Sequence, residues 1–266
     1  MPSARQVVVT VATGKFAERL DNTFTSFAQN PSMELHAFII GEKLPERRAP
    51  GIHYHLEPPD PSFSHEMRDI YYRRFLFVDK LDAEYALIVD NSDVLCLQSL
   101  PPLSDLLHGA AVAASVEHAG SRYLAGQGYT STYVNAGVTF WHLPASLRMR
   151  EEIVKRGRDC FRSVEDQLTL NEVLHTLYYD QLILLPSQYN YRAFLAPKRI
   201  RGWPTVTHLD GVMIYHNSFC IGAAKKLIPV KPKADLPDLP RDEKPLAPRE
   251  QFWRKVRHRF QPHWVK

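Results

Sequence analysis

The sequence predicts an α/β fold whose mostly parallel sheet is covered by helices on both faces. Three observations carry this: β-branched apolar runs such as "QVVVTVAT", helix-like stretches between them, and a regular alternation of the two through the first half of the chain. A run that is apolar at every position, rather than at every second one, suits a parallel strand buried on both sides.

The elements follow in order. "QVVVTVATG" is the first strand, and its small residues Ala12, Thr13 and Gly14 open a loop. A helix from about Phe16 to Gln29 is expected next, then "MELHAFIIG" as the second strand and "IHYHLEP" as a short third. "SHEMRDIYYRRFLFVDKL" reads as a long helix capped by Ser64, with Met67, Ile70, Tyr71, Phe75 and Val78 along one side. "EYALIVD" returns to the core as a strand. In the less regular second half, "GAAVAASVE" and "YVNAGVTFWHL" read as strands. "SLRMREEIVKRGRDCF" and "VEDQLTLNEVLHTL" read as helices, and "DQLILLP" and "VMIYHN" as late strands. The expected domain covers residues 1–227. A Pro-rich linker follows over 228–248, where "PVKPKADLPDLPRDEKPLAP" can hold neither a helix nor an inner strand. The last segment, 249–266, is the basic and aromatic "REQFWRKVRHRFQPHWVK".

Composition narrows the function classes. A chain of 266 residues with 44% hydrophobic and 23% charged residues buries an ordinary globular core. A net charge of +4 is too mild to argue for nucleic acid, and the basic residues gather only at the C-terminus. Cys96, Cys160 and Cys220 are odd in number and widely spaced, so they form neither a disulfide framework nor a zinc spacing, and a reducing cytosol is expected. The N-terminal apolar run is too short for a signal peptide, and no stretch approaches the roughly 18 apolar residues of a spanning helix.

The chemistry gathers where "YALIVDNSDVLCLQSL" stops being apolar. Ligands of open α/β sheets bind beyond the carboxyl ends of strands. Asp90, Asn91, Ser92 and Asp93 stand at such an end and offer hard oxygen donors suited to Mg²⁺ or Mn²⁺. The same four residue types also form capped turns.

With these surroundings the sequence resembles the nucleotide-sugar-dependent glycosyltransferases of the GT-A fold, most closely those of family 8, in which a strand ends in an Asp-X-Asp motif. "LIVDNSDVLCLQSL" is similar to that segment, with Asp93 as its second carboxylate and Asn91 in place of the first. A related pattern, Asp-X-X-Asp-Val followed by Gln, matches Asp90, Asp93, Val94 and Gln98. The resemblance implies a Mn²⁺ or Mg²⁺ ion held by Asp93, by Asp90 or Asn91, and by His216 of "GVMIYHNSF", with His208 of "VTHLDG" as the competing ligand. It implies nucleotide contacts at Thr10, Ala12 and Thr13, a basic contact to the donor from Arg74 or Arg73, and a diphosphate contact from Lys225 or Lys226. Asn135, Ala136 and Gly137 of "YVNAGVTFWHL" resemble the segment facing the donor sugar, and Asp166 and Gln167 of "EDQLTLN" the segment near the reacting centre. The implied activity is transfer of a sugar from a nucleotide-sugar, a UDP-sugar in particular, to a glycan or lipid-linked hydroxyl, with retention of configuration; if Asp166 serves as base, the product is inverted.

On a helix, Phe252, Trp253, Val256 and Phe260 of the tail fall on one side, flanked by Arg249, Arg254, Lys255, Arg257 and Arg259. That pattern suits an anionic membrane surface and places the protein in the cytoplasm, peripheral to the inner face of the membrane. The same aromatics also suit docking on the protein's own core. Two other functions stay open at this level: a sugar nucleotidyltransferase, for which "VATGKFAERL" supplies a weak phosphate loop, and a non-catalytic nucleotide-sugar or glycan-binding protein.

Overall fold

The computed structural model describes residues 4–18, 20–63, 66–91, 93–117, 132–159, 166–192, 199–200, 203–204 and 211–216. Ser64, His208, Lys225, Lys226, the linker 228–248 and the tail 249–266 lie outside the described residues.

The first half alternates as expected. β1 (Gln6–Thr13) leads into two single-turn helices, α1 (Gly14–Ala17) and α2 (Leu20–Thr23), then β2 (Met33–Ile40), β3 (Ile52–Glu57), α3 (Glu66–Phe77) and β4 (Tyr85–Val89). The chain continues through β5 (Val94–Cys96), α4 (Leu103–Leu107), β6 (Val112–Val116), β7 (Val134–His142), α5 (Leu143–Asp159) and α6 (Asp166–Leu177). Four short strands and one longer one complete it: β8 (Leu182–Leu185), β9 (Tyr191–Arg192), β10 (Arg199–Ile200), β11 (Trp203–Pro204) and β12 (Ile214–His216).

Seven strands form the main sheet in the order β3-β2-β1-β4-β7-β6-β8. All neighbours run parallel except β7, which is antiparallel to both β4 and β6. The apolar run of β1 divides between the two faces as period-2 geometry requires. Val7, Val9 and Val11 join the core with Tyr72, Phe75, Trp141, Met149 and Ile153, whereas Val8 and Ala12 join Leu20, Phe24, Phe27, Leu103 and Leu107. The sheet is therefore sandwiched, with α3, α5 and α6 on one side and α1, α2 and α4 on the other.

The helical layer packs tightly. A Cβ on Gly157 of α5 would lie 2.3 Å from ring carbons of Tyr72 on α3, so only glycine permits that crossing. Arg150, also on α5, is fully buried; its guanidinium donates to the carbonyls of Phe75 and Leu143 and pairs with Asp79 at 2.6 Å. A helix pattern alone does not mark Arg150 as buried, because Phe75 and Asp79 reach it from a distant segment.

The helix expected from about Phe16 to Gln29 is a correction: the segment is broken into α1, α2 and a 3₁₀ turn, Phe24–Gln29. Side chains there bond to backbone instead of leaving it to a helical ladder. Thr23 donates to the Asn91 carbonyl, Ser26 to the Thr23 carbonyl, and Gln29 to the Cys96 carbonyl. The Thr23 and Gln29 bonds anchor the turn against the loop after β4 and the end of β5.

A histidine cluster on β2 and β3 makes stability depend on pH. His36 Nδ1 and His55 Nε2 are 3.0 Å apart, and His36 also stacks on His53. Burial pushes both His36 and His55 below the ordinary histidine range, with the other imidazolium charges adding to the effect and Glu34 opposing it at His36. The unfolded chain therefore binds protons first as pH falls through about 6.5, and this contribution is fully present above that value and lost below it. Urea unfolding at about pH 7.5 and about pH 6 is expected to show a loss on acidification that shrinks in His36→Gln. An equal loss in both proteins would assign the effect to other groups.

Candidate functional site

The site forms at the carboxyl end of β4. Antiparallel pairing sets Val89 against Val138, and the Asp90 N–H donates to the Gly137 carbonyl at 2.9 Å. β5 starts directly after Asp93 and pairs with β12 so that Val94 lies opposite His216. These two registers bring together three side chains from distant parts of the sequence.

Asp90, Asp93 and His216 each offer one ligand atom, all within 4.8 Å of one another. His216 Nε2 stands 3.6 Å from Asp90 Oδ2 and 3.6 Å from Asp93 Oδ2. These separations exceed hydrogen-bond length. Two carboxylates and an imidazole converging on one point are a donor set that fits Mn²⁺ or Mg²⁺. Gly137 forms one wall: a Cβ there would lie 2.4 Å from His216 Cε1 and 2.5 Å from Asp90 Oδ2.

Below these groups Arg74 is buried between two acids. It donates to Asp90 Oδ1 at 2.7 Å and to the Ala136 carbonyl at 2.8 Å, and pairs closely with Asp166. Arg74 thus cross-links α3, the end of β4, β7 and the first residue of α6. Burial pushes the Asp166 carboxyl up to about 6, with Asp90 adding to the shift and Arg74 opposing it. Tyr71, three residues before Arg74 on α3, is pushed up to about 12 by burial and by Asp90 and Asp166, so it stays a neutral phenol beside the acids. Arg73 turns away from this group to Asp69, Glu57 and the Pro58 carbonyl.

Behind the carboxylates lies a layer of amides. Asn135 Nδ2 donates to Glu117 Oε2 at 2.5 Å and to Gln167 Oε1 at 2.9 Å, and Gln167 Oε1 also accepts the Ala136 N–H. Asn171 accepts from the Val134 N–H and donates to the Val134 carbonyl, so α6 holds the start of β7 as a further strand would. Asn190 spans from Asn135 to His216.

The remaining residues singled out in the sequence take different positions. Thr10 is fully buried and donates to the Val89 carbonyl, and Ala12 is fully buried beside it. Thr13 ends β1 with 5% exposure. Asn91 donates to the Val11 carbonyl at 2.7 Å, which binds the loop after β4 back to β1. Asp90 belongs to the three-residue cluster with Asp93 and His216. Gln98 donates to the Val212 carbonyl and holds the return toward β12. Tyr71, Glu117 and Asn190 were not marked by sequence reasoning as site residues. Tyr71 is legible only as part of an apolar helix stripe, and nothing in "SVEHAG" or "SQYNY" distinguishes Glu117 or Asn190.

No family model and no curated relative matches the chain. Solved structures do. The galactosyltransferase LgtC in complex with donor and acceptor sugar analogues superposes with a TM-score of 0.56 at 22% identity, over 80% of this chain and 87% of that one. An active-site mutant of LgtC matches at 21% identity with the same TM-score of 0.56. The apo structure of the bifunctional glycosyltransferase WbbM matches with a TM-score of 0.56 at 13% identity, over 81% of this chain and 46% of that one. Each of these neighbours is a glycosyltransferase, and the mixed, mostly parallel sheet with flanking helices that this chain shares with them is the GT-A fold.

Proposed function

We propose that this GT-A-fold chain is a metal-dependent glycosyltransferase that moves a sugar from a nucleoside diphosphate sugar, a UDP-sugar in particular, to a hydroxyl of a glycan or lipid-linked acceptor. The observation that carries the reading is the convergence of Asp90, Asp93 and His216 beyond the end of β4. Fold likeness alone names no reaction.

Asp90, Asp93 and His216 would hold Mn²⁺ or Mg²⁺. Bound there, a divalent cation supplies Lewis-acid neutralisation of a diphosphate leaving group. The protein's own groups perform the positioning. Asn135 and Gln167 are assigned to the donor-sugar side of the site, Asn135 by holding Gln167 in place, and Lys225, outside the described residues, is assigned to the diphosphate. Arg74 holds Asp90 and Asp166 in place from below, and its charge is fixed in a buried setting where it acts strongly. Thr10, Ala12 and Thr13 are assigned to the nucleotide through the backbone at the end of β1. We assign a retaining outcome, and the setting of Asp166 supports it: a buried carboxylate paired with Arg74 suits orientation better than removal of a proton from an acceptor.

The test is release of the leaving nucleotide, UDP, GDP or CMP, from a panel of UDP-, GDP- and CMP-sugars with Mn²⁺ and with EDTA, followed by NMR of the anomeric configuration of any product. Metal-dependent release from one donor family supports the reading, and release that EDTA leaves untouched rejects the metal. The basic, aromatic segment 249–266 is assigned to an anionic membrane surface at the cytoplasmic face, where a lipid-linked acceptor would be met. Co-sedimentation with anionic vesicles that survives its deletion would reject that assignment.

A further inference from the structure

Resting on the proposed metal site, we infer that Asn190 is a positioning residue that fixes the tautomer of His216, so that the ring presents a bare Nε2 to the point between Asp90 and Asp93. The argument is one of hydrogen-bond direction. Backbone N–H groups can only donate. The Gly137 N–H donates to Asn135 Oδ1 at 2.9 Å and the Ala136 N–H to Gln167 Oε1 at 3.1 Å, so both of those side-chain atoms are oxygens. Asn135 must then use its Nδ2 toward Glu117 and Gln167, both of which accept.

The direction passes on to Asn190. The atom it places 2.9 Å from Asn135 Oδ1 must be its Nδ2, because that oxygen only accepts. Its other atom is therefore Oδ1, which lies 2.9 Å from His216 Nδ1. An amide oxygen cannot donate, so Nδ1 carries a proton, and in the neutral ring that a metal requires the lone pair is then on Nε2. Nε2 faces the two carboxylates. Asn190 and His216 are each 2% exposed, so water does not compete for these bonds.

The chain of amides thus couples two jobs of the site. Its far end, at Asn135 and Gln167, faces the donor sugar in the proposed function, and its near end orients a metal ligand. A partner that fixes the second nitrogen of a ligating histidine commonly sets metal affinity by about 10–100-fold. Asn190 sits between the 3₁₀ turn Ser187–Tyr189 and β9, whose pairing with β12 places Tyr191 beside Tyr215. β9 pairs Arg192 with His216, and this pairing carries Asn190, just before the strand, to the His216 side of the site.

The test uses the full chain in three forms: wild type, Asn190→Leu, which keeps volume without an acceptor, and Asn190→Asp, which keeps an acceptor for Nδ1. ¹⁵N-histidine NMR of the metal-free proteins, with His216→Gln to assign the signal, reads which nitrogen carries the proton. Mn²⁺ affinity is read by electron paramagnetic resonance and folding by circular dichroism. The expected result is a proton on Nδ1 in wild type, a shift toward Nε2–H in Asn190→Leu with Mn²⁺ binding weakened by about 10–100-fold, and recovery of most of that loss in Asn190→Asp. A neutral wild-type ring with its proton on Nε2, or equal Mn²⁺ binding by wild type and Asn190→Leu, overturns the inference. A wild type with the proton on Nδ1 that binds no Mn²⁺ would reject the proposed metal function and leave the hydrogen-bond assignment intact.

Discussion

Asp93→Asn is expected to lower donor turnover by about 10²–10³-fold, the equivalent of the several kcal/mol that a Lewis acid supplies to a departing phosphate. The substitution is nearly isosteric and removes only charge. Asp93 is held beside β5 with its side chain 8% exposed, and its Oδ2 faces His216 Nε2 across 3.6 Å. Without a cation, Asp90 and Asp93 repel each other, so removal of one charge should leave the unfolding midpoint of the metal-free protein unchanged or slightly raised. Turnover close to wild type would remove Asp93 from the metal site. Lost turnover together with a large fall in stability would make it a structural residue instead.

Arg74→Met should cost about 3–5 kcal/mol of stability, because it strips the partner from two carboxylates in a buried setting. The arginine is 3% exposed and reaches Asp90, Asp166 and the Ala136 carbonyl with one planar group. For a domain of this size that loss lowers the unfolding midpoint by on the order of 10 °C. Arg74→Lys should recover little of it, since an ammonium cannot extend a fork to three acceptors on different elements. Thermal unfolding of the three proteins decides the matter. A Met variant within about 1 kcal/mol of wild type would mean that Asp90 and Asp166 do not depend on Arg74 for their place.

The strands were legible because their apolar runs lack any alternative use. β1, β2, β4 and β7 emerge where "QVVVTVAT", "MELHAFII", "YALIV" and "VNAGVTFWH" stand, and Asp90, Asp93 and His216 converge at the end of β4. What stayed hidden depends on partners far apart in the chain. Three residues of "DVLCLQSL" form β5, and its pairing with β12 is what delivers His216 to Asp93; the apolar pattern does not record which strand it will meet. The segment after β1 carries a helix-like pattern but is diverted by Thr23, Ser26 and Gln29 into bonds with the β4–β5 region. The sequence offers Arg74 or Arg73 as a basic contact to the donor, and the position of Arg74 beneath two carboxylates depends on α3 and α6 lying close together. Polar bridges such as Glu117, Asn171 and Asn190 have no local signature at all, because one asparagine in a loop looks like another until its neighbours are fixed.

Isothermal titration of UDP into the full-length protein with Mn²⁺, repeated with EDTA and with Asp93→Asn, tests the central claim most directly. The account predicts binding in Mn²⁺ that EDTA or the substitution weakens by at least about tenfold, or about 1.4 kcal/mol. Binding of equal strength under all three conditions, or none to the folded wild type with Mn²⁺ and any of UDP, GDP or CMP, would contradict it.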